Sequence, residues 1–332
     1  MEKVDIYGIG NPLVDVSVSV SDADIEALGL SKGIMHLIET EQRRRILEHI
    51  RGKDVSYGCG GSAPNSMITA AALGKATALG GGIADDELGD IYKQRLEQTG
   101  VANRLAVYPG ETGTSIILVT PDGERTMCTF LGTCMLFRDT DVDEEAARAA
   151  KWLHFTGYMF DTEGQRAAIE HAAQTTHSAG GKISFDVADP FAVDRHYDAF
   201  IELIPRQVDL LFANQLEAEK LTGKSDPLEA AQHFAEHVET AVVKDGKNGS
   251  VVVSGGHVTR IKPYPAELVD SNGAGDTYAA AFLSVLAEDG SHAQAGQFAS
   301  FLSAKVVERS GAQLDPEDAL SFRNEHYAMA SR

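Results

Sequence analysis

The stretch VDSNGAGDTYAAAFL, residues 269–283, passes from small and polar residues into an apolar run. The apolar positions that begin within it have the i, i+3, i+4, i+7, i+8 spacing of one helical face: Tyr278, Ala281, Phe282, Val285 and Leu286. This spacing predicts a helix whose first turn lies at the glycines. The first N–H groups of a helix have no partner within it, and the helix dipole is positive at that end. The stretch therefore predicts an anion site at residues 273–275.

An acidic residue, Asp276, falls in the first turn of this predicted helix. An acid at this position can simply complement the positive end of the helix dipole. A carboxylate beside an anion site can also act as the general base that deprotonates an attacking hydroxyl. The residues alone leave both interpretations open.

The 332-residue chain carries 49 acidic and 29 basic residues, which gives a net charge of −20. This charge argues against binding to nucleic acid or to an anionic membrane, and it predicts that a polyanionic ligand needs a local positive site. The sequence has no apolar run of the ~18–20 residues that a membrane helix needs, and the residues at its start lead us to expect no secretory signal. We therefore expect a cytoplasmic protein whose three cysteines are free thiols.

Apolar, β-rich runs alternate with helical patterns along most of the chain. The predicted buried strands are residues 4–9, 76–81, 151–157, 182–187, 208–213 and 241–244. This alternation predicts an α/β fold, a three-layer αβα sandwich around a mostly parallel central sheet.

Two segments interrupt the alternation. Residues 14–20, VDVSVSV, alternate strictly as a half-exposed strand does, and residues 114–131 contain two β runs around a Pro-Asp-Gly turn. We predict a single domain over residues 1–332, with a small β-sheet lid formed by about 12–40 and 108–136. No linker or repeat divides the chain.

Three further segments allow both a structural and a functional interpretation. GCGGSAPN, residues 58–65, fits a glycine turn before a helix, and VVKDGKNGSVVV, residues 242–253, fits a hairpin turn. Asn214 and Glu217, three residues apart after a strand, fit a structural capping box.

Two nucleotide-binding loops are excluded by their patterns. GIGNPL, residues 8–13, has Leu13 where a dinucleotide-binding loop needs its third glycine. Gly223-Lys224-Ser225 lacks the earlier glycine and the preceding strand of a P-loop.

Together these segments resemble the ribokinase-like (pfkB-type) family of carbohydrate and nucleoside kinases. VDSNGAGD resembles the family signature D-T-x-G-A-G-D, with Ser271 at the usual threonine. GCGGSAPN resembles the signature G-G-x-x-x-N. The motifs follow the order of the family, and the resemblance covers essentially the whole chain.

The resemblance implies a site for phosphoryl transfer. Asp276 is implied to be the catalytic base, with an anion hole for the γ-phosphoryl group formed by the backbone of Gly273, Ala274 and Gly275. Arg125, in a segment that resembles the lid strand of the family, is implied to reach the phosphates. The implied residues for the acceptor substrate are Asn11, Asp15, Gly60, Gly61, Ser62 and Asn65.

The resemblance also implies ATP as phosphoryl donor, together with Mg²⁺. Glu217 is implied to hold the metal through water. ERSGAQL, residues 308–314, resembles a cation-binding loop, which makes activation by K⁺ a further expectation. Three residues depart from the family pattern. Lys244 stands where the family usually has threonine, Met67 where it has a small residue, and Ala84 where it has glycine. The implied nucleotide-binding residues are Asn214, Lys244, Gly246, Gly249 and Asn272.

We predict an ATP-dependent kinase that phosphorylates a primary, 5′-type hydroxyl of a nucleoside. Adenosine is the first candidate, because GNPLVDV, GGSAPN and Asn272 resemble the adenosine-kinase subgroup. The residues that could enclose an adenine are Leu13, Met35, Leu37, Tyr158 and Phe160.

Two alternatives remain. One is a pfkB-type sugar kinase that acts on ribose, fructose or a related sugar. The other is a non-catalytic regulator that binds a nucleoside or sugar. In each case the expected partner is a small molecule, and the protein is expected to be a monomer or a homodimer that pairs through the lid.

Overall fold

The computed structural model describes residues 3–330. The strands of this part of the chain are β1 (Val4–Ile9), β2 (Leu13–Ser19), β3 (Met35–Leu37), β4 (Val55–Gly60), β5 (Thr77–Ala84), β6 (Ala102–Tyr108), β7 (Thr114–Val119), β8 (Arg125–Phe130), β9 (Ala150–Thr156), β10 (Lys182–Asp186), β11 (Leu210–Asn214), β12 (Thr240–Lys244), β13 (Ser250–Ser254) and β14 (His257–Ile261).

The α-helices are α1 (Asp22–Leu28), α2 (Thr40–His49), α3 (Ser62–Ala72), α4 (Glu87–Gln98), α5 (Glu144–Ala149), α6 (Glu163–Ser178), α7 (Pro190–Gln207), α8 (Gln215–Thr222), α9 (Pro227–Phe234), α10 (Ala274–Leu286), α11 (His292–Val307) and α12 (Pro316–Ala330). None of the helices in residues 3–330 combines the length and the hydropathy of a membrane span.

The central sheet has the strand order β14-β13-β12-β11-β10-β9-β1-β5-β6. The seven neighbouring strands of this sheet from β12 through β1 to β6 are parallel. Strands β13 and β14 run antiparallel at the other edge. The carboxyl ends of the parallel strands therefore lie along one side of the sheet. In open α/β sheets this is the side on which ligands bind.

Helices cover both faces of the central sheet, because successive side chains of a strand point to opposite faces. In β12, Val242 packs in an apolar cluster with α10 and α11, whereas Ala241 and Val243 pack in a second cluster with α6 and α7. The predicted three-layer αβα sandwich is confirmed. Each predicted central strand is present, and α10 begins directly after Gly273 as expected.

A second, smaller sheet has the strand order β3-β8-β7-β2-β4. Its strands β2, β7 and β8 match the segments at residues 14–20 and 114–131 in which strands were predicted. Strand β4 also belongs to this sheet but lies outside the predicted ranges 12–40 and 108–136. Its sequence, VSYGCG, contains two glycines, which have low β propensity and which fit the turn predicted for residues 58–65. The assignment of this sheet as a lid stays a prediction.

The three cysteines, Cys59, Cys128 and Cys134, are buried free thiols, as expected.

Candidate active site

A cavity of about 800 Å³ is lined by residues of the second sheet, the carboxyl edge of the central sheet and the start of α10. Its lining includes most of the predicted site residues: Asn11, Asp15, Gly61, Ser62, Asn65, Arg125, Asn214, Asn272, Gly273, Gly275 and Asp276. The other predicted residues lie outside the lining: Gly60, Ala274, Glu217, Lys244, Gly246 and Gly249. The structure thus brings residues from both ends of the chain into one cavity.

Asp276 lies in the first turn of α10 and is oriented by α3. Ser62 donates from Oγ to Oδ1 of Asp276 at 2.5 Å, and Asn65 donates from Nδ2 to Oδ2 at 2.9 Å. Burial raises the pKa of Asp276 to about 6, while these two hydrogen bonds act in the opposite direction. The carboxyl group therefore has the proton affinity that suits a general base near neutral pH.

The backbone at the start of α10 is shaped by two glycines. Gly273 has φ +74°, and a Cβ there would lie 2.3 Å from the carbonyl oxygen of Ala312. Gly273 is the N-cap of α10, so Ala274 and Gly275 are the first helical residues. Their N–H groups fall where a helix has no internal acceptors. The chain can therefore present an anion site at this position.

Asp15 lies on β2 and packs against the neighbouring strand β4. A Cβ at Gly60 would lie 2.2 Å from Oδ1 of Asp15, so the carboxylate occupies the space that the glycine leaves. Burial raises the pKa of Asp15 to about 7, opposed by Arg125 and reinforced by Asp276. Within residues 3–330 no group donates a hydrogen bond to this carboxylate, which leaves its oxygens available to hydroxyl groups in the cavity.

Two predicted acceptor-binding amides make contacts within the protein. Asn11 donates to the carbonyl oxygen of Tyr158 at 3.0 Å and accepts from Gln165 at 2.9 Å. Asn65, which donates to Asp276, accepts from Nε2 of Gln313 at 2.8 Å. Both side chains are buried. In this structure they orient other groups of the site, and binding of substrate hydroxyls by them stays a prediction.

The capping-box interpretation of Asn214 and Glu217 holds structurally. Asn214 is the N-cap of α8, and its side-chain oxygen accepts from the backbone N–H of Glu217 at 2.9 Å. The Glu217 carboxylate accepts in turn from the backbone N–H of Asn214 at 2.7 Å. Glu217 is only 1% exposed, and burial raises its pKa to about 7.

Lys244 ends β12 and pairs with an acid that sequence reasoning did not identify. Its Nζ atom lies 2.8 Å from Oδ2 of Asp186, the last residue of β10. The following loop carries Gly246 and Gly249, and a Cβ at Gly249 would lie 2.0 Å from the carbonyl oxygen of Ile261. The hairpin interpretation of these glycines is therefore correct structurally. A role in nucleotide binding stays a prediction.

Arg125 connects the second sheet to the segment that leads into α10. Its guanidinium lies 2.6 Å from Oδ2 of Asp270, and it also donates to Ser310. The same Asp270 oxygen accepts from the backbone N–H of Gly311 at 2.8 Å. This ion pair joins Arg125 to the loop at residues 308–314 for which K⁺ binding was expected, and that expectation stays a prediction.

Apolar and aromatic side chains form much of the remaining wall. Four of the residues proposed to enclose a base line the cavity: Leu13, Met35, Leu37 and Tyr158. Phe160 was wrongly included among them. It is 3% exposed and packs against Phe185 and Phe200, with ring centroids 6.0 and 5.0 Å away.

Several cavity residues were missed by sequence reasoning. Phe191 and Arg195 of α7 line the cavity together with Asp161 and Asp189. The Arg195 guanidinium lies over the Phe191 ring at 5.2 Å and pairs with Asp161. Asp186 ends β10 and Asp189 follows it, so the rule that ligand sites occur at the carboxyl ends of parallel strands could have identified this segment.

The acidic side chains of the site fit an indirect contact with Mg²⁺. Within residues 3–330, no group of three or more His, Cys, Asp or Glu side chains is placed to hold a metal ion. Mg²⁺ usually keeps several waters and uses one or two carboxylates together with substrate phosphates. Glu217 is a buried carboxylate, and burial raises its pKa to about 7. This donor set suits a hydrated divalent cation that is held mainly by phosphate oxygens.

Comparison with known proteins gives consistent matches. The sequence model described as pfkB family carbohydrate kinase matches residues 22–319. The crystal structure of adenosine kinase from Sinorhizobium meliloti is 33% identical with a TM-score of 0.87, covering 98% of this chain and 100% of its own. A probable sugar kinase from Rhizobium etli is 31% identical with a TM-score of 0.88, covering 99% and 100%. The ATP-dependent ribose-1-phosphate kinase of Halopiger xanaduensis is 31% identical over 262 residues, covering 77% and 83%.

The same fold occurs in a ribokinase-like protein of E. coli that was solved with ATP and Mg²⁺. That structure has a TM-score of 0.79 and 22% identity, and the match covers 97% of this chain and all of the other.

Proposed function

The chain belongs to the pfkB family of carbohydrate kinases, and on that premise we propose that it transfers the γ-phosphoryl group of ATP to a primary hydroxyl of a nucleoside, with adenosine as the first candidate. The small-molecule acceptor and the phosphotransferase activity follow from the family. The placement of Asp276, at the start of a helix and at the wall of the cavity, carries the assignment of the chemistry.

Asp276 is the general base of the proposed reaction. A 5′-type hydroxyl in the cavity donates to its carboxylate, while Ser62 and Asn65 keep the carboxylate in position. The acceptor oxygen forms a bond to the γ-phosphorus as the bond between that phosphorus and the bridging oxygen of ADP breaks. The hydroxyl proton passes to Asp276.

The start of α10 is the proposed anion hole. The backbone N–H groups of Gly273, Ala274 and Gly275 stabilise charge on the transferring phosphoryl group. Arg125 is the proposed cation above the phosphates, and Asn272 lines the same cavity. Mg²⁺, held through water by Glu217, would supply charge neutralisation on the phosphate oxygens.

The acceptor end of the cavity supports a nucleoside over a simple sugar. Asp15 offers two carboxylate oxygens, which suit a pair of ribose hydroxyls. The second sheet contributes apolar side chains such as Met35 and Met127, and the segments that follow β9 and β10 contribute Tyr158 and Phe191. Apolar and aromatic surfaces of this kind suit a planar base, whereas a sugar alone would need more polar partners.

The charged residues near Phe191 argue against an acceptor that already carries a phosphate group. Arg195 is neutralised by its ion pair with Asp161, whose side chain is 7% exposed. Asp189 adds a further carboxylate to the same part of the wall. A sugar phosphate such as ribose 1-phosphate would face no uncompensated positive charge there, whereas a neutral base could hydrogen-bond to the guanidinium and the carboxylate.

The decisive test is an acceptor panel of adenosine, inosine, ribose, fructose and ribose 1-phosphate, with ATP and Mg²⁺. ADP formation and the phosphorylated product are measured for each acceptor. We expect the highest kcat/KM for a nucleoside. A higher value for ribose or fructose would favour the sugar-kinase alternative, and no phosphorylated product from any acceptor would favour the binding-protein alternative.

A matched pair of variants tests whether the aromatic wall of the cavity binds the adenine ring. Phe191→Ala should raise the KM for adenosine about 10-fold, the usual effect of losing an aromatic stacking partner, and should leave ribose kinetics unchanged. Tyr197→Ala is the control, because Tyr197 lies on the same helix with similar exposure, 44% against 46%, but outside the cavity lining. Equal effects of both substitutions would remove Phe191 from the binding site.

A further inference from the structure

Lys244 occupies the carboxyl edge of the central sheet beside the start of α8. Strand pairing sets it opposite Asn214, the last residue of β11. Its Nζ atom reaches past β11 to Asp186, the last residue of β10, at 2.8 Å. The two side chains are 15% and 4% exposed. A buried ion pair thus bridges strands that are not neighbours in the sheet.

The same ammonium group packs against the start of α10. A Cβ at Gly275 would lie 3.4 Å from Nζ of Lys244. The other face of Lys244 is covered by Phe212, whose ring centroid is 6.0 Å from Nζ. Lys244 therefore places a positive charge directly beside the backbone that forms the proposed anion hole.

The charges around Lys244 are mostly negative. Asp186 of β10, Glu217 of α8 and Asp276 of α10 all act on it electrostatically. Burial lowers the pKa of Lys244, but these three carboxylates outweigh burial and hold its pKa above the ordinary value. Lys244 therefore stays protonated. A phosphate group at Gly275 would be repelled by these acids unless the lysine charge were turned towards it.

We propose that Lys244 is the phosphate-binding cation of the anion hole, and that Asp186 is its counter-ion until the nucleotide binds. The inference rests on the proposed function, because it takes the start of α10 as the phosphate site. When ATP binds, the ammonium exchanges the Asp186 carboxylate for an oxygen of the transferring phosphoryl group. No covalent bond to Lys244 forms or breaks. A lysine supplies a full charge where the family usually has a hydroxyl.

The competing explanation is that Lys244 and Asp186 only compensate each other as a structural ion pair. Removal of one partner from a buried pair is destabilising in either case, because the other charge is left alone. Loss of thermal stability does not distinguish the two explanations. Nucleotide affinity does.

The first measurement is the binding of ATP with Mg²⁺ by calorimetry. Lys244→Met should weaken binding about 10- to 100-fold, the usual effect of losing a hydrogen bond to a charged group. Asp186→Asn should keep the affinity or increase it, because the lysine no longer has to leave a carboxylate. The controls are Lys220→Met and Asp194→Asn, which break an exposed ion pair with an N–O distance of 2.5 Å outside the cavity and should leave affinity unchanged.

The second measurement is the carboxyl titration of Asp276 in the nucleotide-free protein, followed by ¹³C NMR. The groups that face Asp276 are Ser62 and Asn65 of α3, Asp186 of β10 and Lys244 of β12, with Asp15 of β2 acting across the cavity. Lys244→Met removes a positive charge and should raise the pKa of Asp276. Asp186→Asn removes a negative charge and should lower that pKa. A purely structural pair would give the same opposite shifts but no ATP-binding defect in the lysine variant. If the pKa of Asp276 is unchanged in Lys244→Met, the lysine charge does not act at the start of α10 and the proposal fails.

The double variant Lys244→Met/Asp186→Asn covers the case in which Lys244→Met alone does not fold. Replacing both partners leaves the net charge of this region unchanged, so the fold should be retained. Its ATP affinity should stay at the low value expected for Lys244→Met. Wild-type affinity in the double variant or in Lys244→Met would overturn the proposal.

The outcomes separate this proposal from the proposed function. If wild-type protein phosphorylates adenosine and Lys244→Met binds ATP normally, only the role of Lys244 fails. If ATP affinity depends on Lys244 but no acceptor is phosphorylated, the role of Lys244 holds and the proposed reaction fails.

Discussion

Asn65 and Asp276 are 211 positions apart in the sequence, yet Nδ2 of Asn65 donates to Oδ2 of Asp276 at 2.9 Å. Asn65 is itself held by Gln313, whose Nε2 atom lies 2.8 Å from Oδ1 of Asn65. The amide orientation of Asn65 follows from these two bonds, because its nitrogen must face the carboxylate and its oxygen the glutamine. The orientation of the proposed base thus depends on three separate parts of the chain.

Replacement of the proposed base should affect chemistry and spare nucleotide binding. We expect Asp276→Asn to lower kcat by about 10²- to 10⁴-fold, the usual contribution of general-base catalysis. The asparagine can still bond to Ser62 or Asn65, so the fold should persist. Steady-state kinetics gives kcat, and calorimetry with ATP and Mg²⁺ provides the control. Turnover within a few-fold of wild type would exclude Asp276 as the base.

The pH dependence of the wild-type reaction should show the titration of the same carboxyl group. Burial raises the pKa of Asp276 to about 6, and only the deprotonated form accepts a proton. We therefore expect kcat/KM to fall as the pH drops below about 6, approaching tenfold per pH unit. Rates with saturating ATP over pH 5–8 test this expectation. A flat profile down to pH 5 would contradict it.

The close approach of Asp15 to Gly60 should make this glycine sensitive to a single methyl group. A Cβ at position 60 would lie 2.2 Å from Oδ1 of Asp15 and must displace the carboxylate. We expect Gly60→Ala to raise the acceptor KM at least about 10-fold, as expected for loss of hydrogen bonds to a charged group, with a smaller effect on the KM for ATP.

A control on the same strand is Gly58→Ala. A Cβ at Gly58 would lie 3.7 Å from Cβ of Asp15, which is ordinary van der Waals contact. Acceptor binding should then stay close to wild type. If both variants raise the acceptor KM equally, the effect comes from β4 as a whole and not from the position of the Asp15 carboxylate.

Stability should depend on the charge of Asp15. Burial raises its pKa to about 7 in the folded protein, above the ordinary value of 3.8, so the folded state binds this proton more tightly than the unfolded chain does. Its contribution therefore lowers the free energy of unfolding as the pH rises from about 4 to about 7, and the loss persists above pH 7.

Asp15→Asn removes this buried charge. The free energy of unfolding of the variant, relative to that of wild type, should be higher at pH 8 than at pH 4, by on the order of 1–3 kcal/mol. Urea denaturation of both proteins at pH 4 and at pH 8 measures this change. A stability difference that is independent of pH would mean that the carboxyl group titrates normally in the folded state.

Arg125 should contribute to the reaction from the second sheet. It pairs with Asp270 at 2.6 Å and has a side chain that is 23% exposed. We expect Arg125→Gln to lower kcat by about 10²-fold, comparable to the removal of one group that stabilises the transition state. Arg51→Gln is the control, since Arg51 is 79% exposed and lies outside the cavity lining. If kcat is unchanged in Arg125→Gln, Arg125 serves only to join Asp270 and Ser310.

The features predicted correctly from the sequence depend on local patterns. The buried strands have continuous apolar runs, and α10 has both a helical apolar face and glycines at its start. The pairing of Asn214 with Glu217 spans only three residues. In each case the residues that determine the structure are close in sequence, so their spacing carries the information.

The features that were missed depend on contacts between distant residues. Gln313 reaches Asn65 across 248 positions, and no local pattern indicates that contact. The ion pair of Lys244 and Asp186 requires the strand order of the central sheet, in which β11 separates β10 from β12. Phe160 is an aromatic residue of the kind that lines binding sites, but it lies in the aromatic core. Its burial depends on the packing of α7, which its own sequence segment does not indicate.

The two walls of the cavity come from different parts of the fold, and this has a consequence for how the protein can diversify. The proposed base and its supports lie on α10, α3 and the segment around Gln313, whereas Met35, Ile117 and Met127 project from the second sheet. Substitutions on that sheet can reshape the space offered to the acceptor while the hydrogen bonds of Asp276 stay unchanged. Acceptor preference and the placement of the proposed base can therefore be inherited, selected and engineered as separate traits.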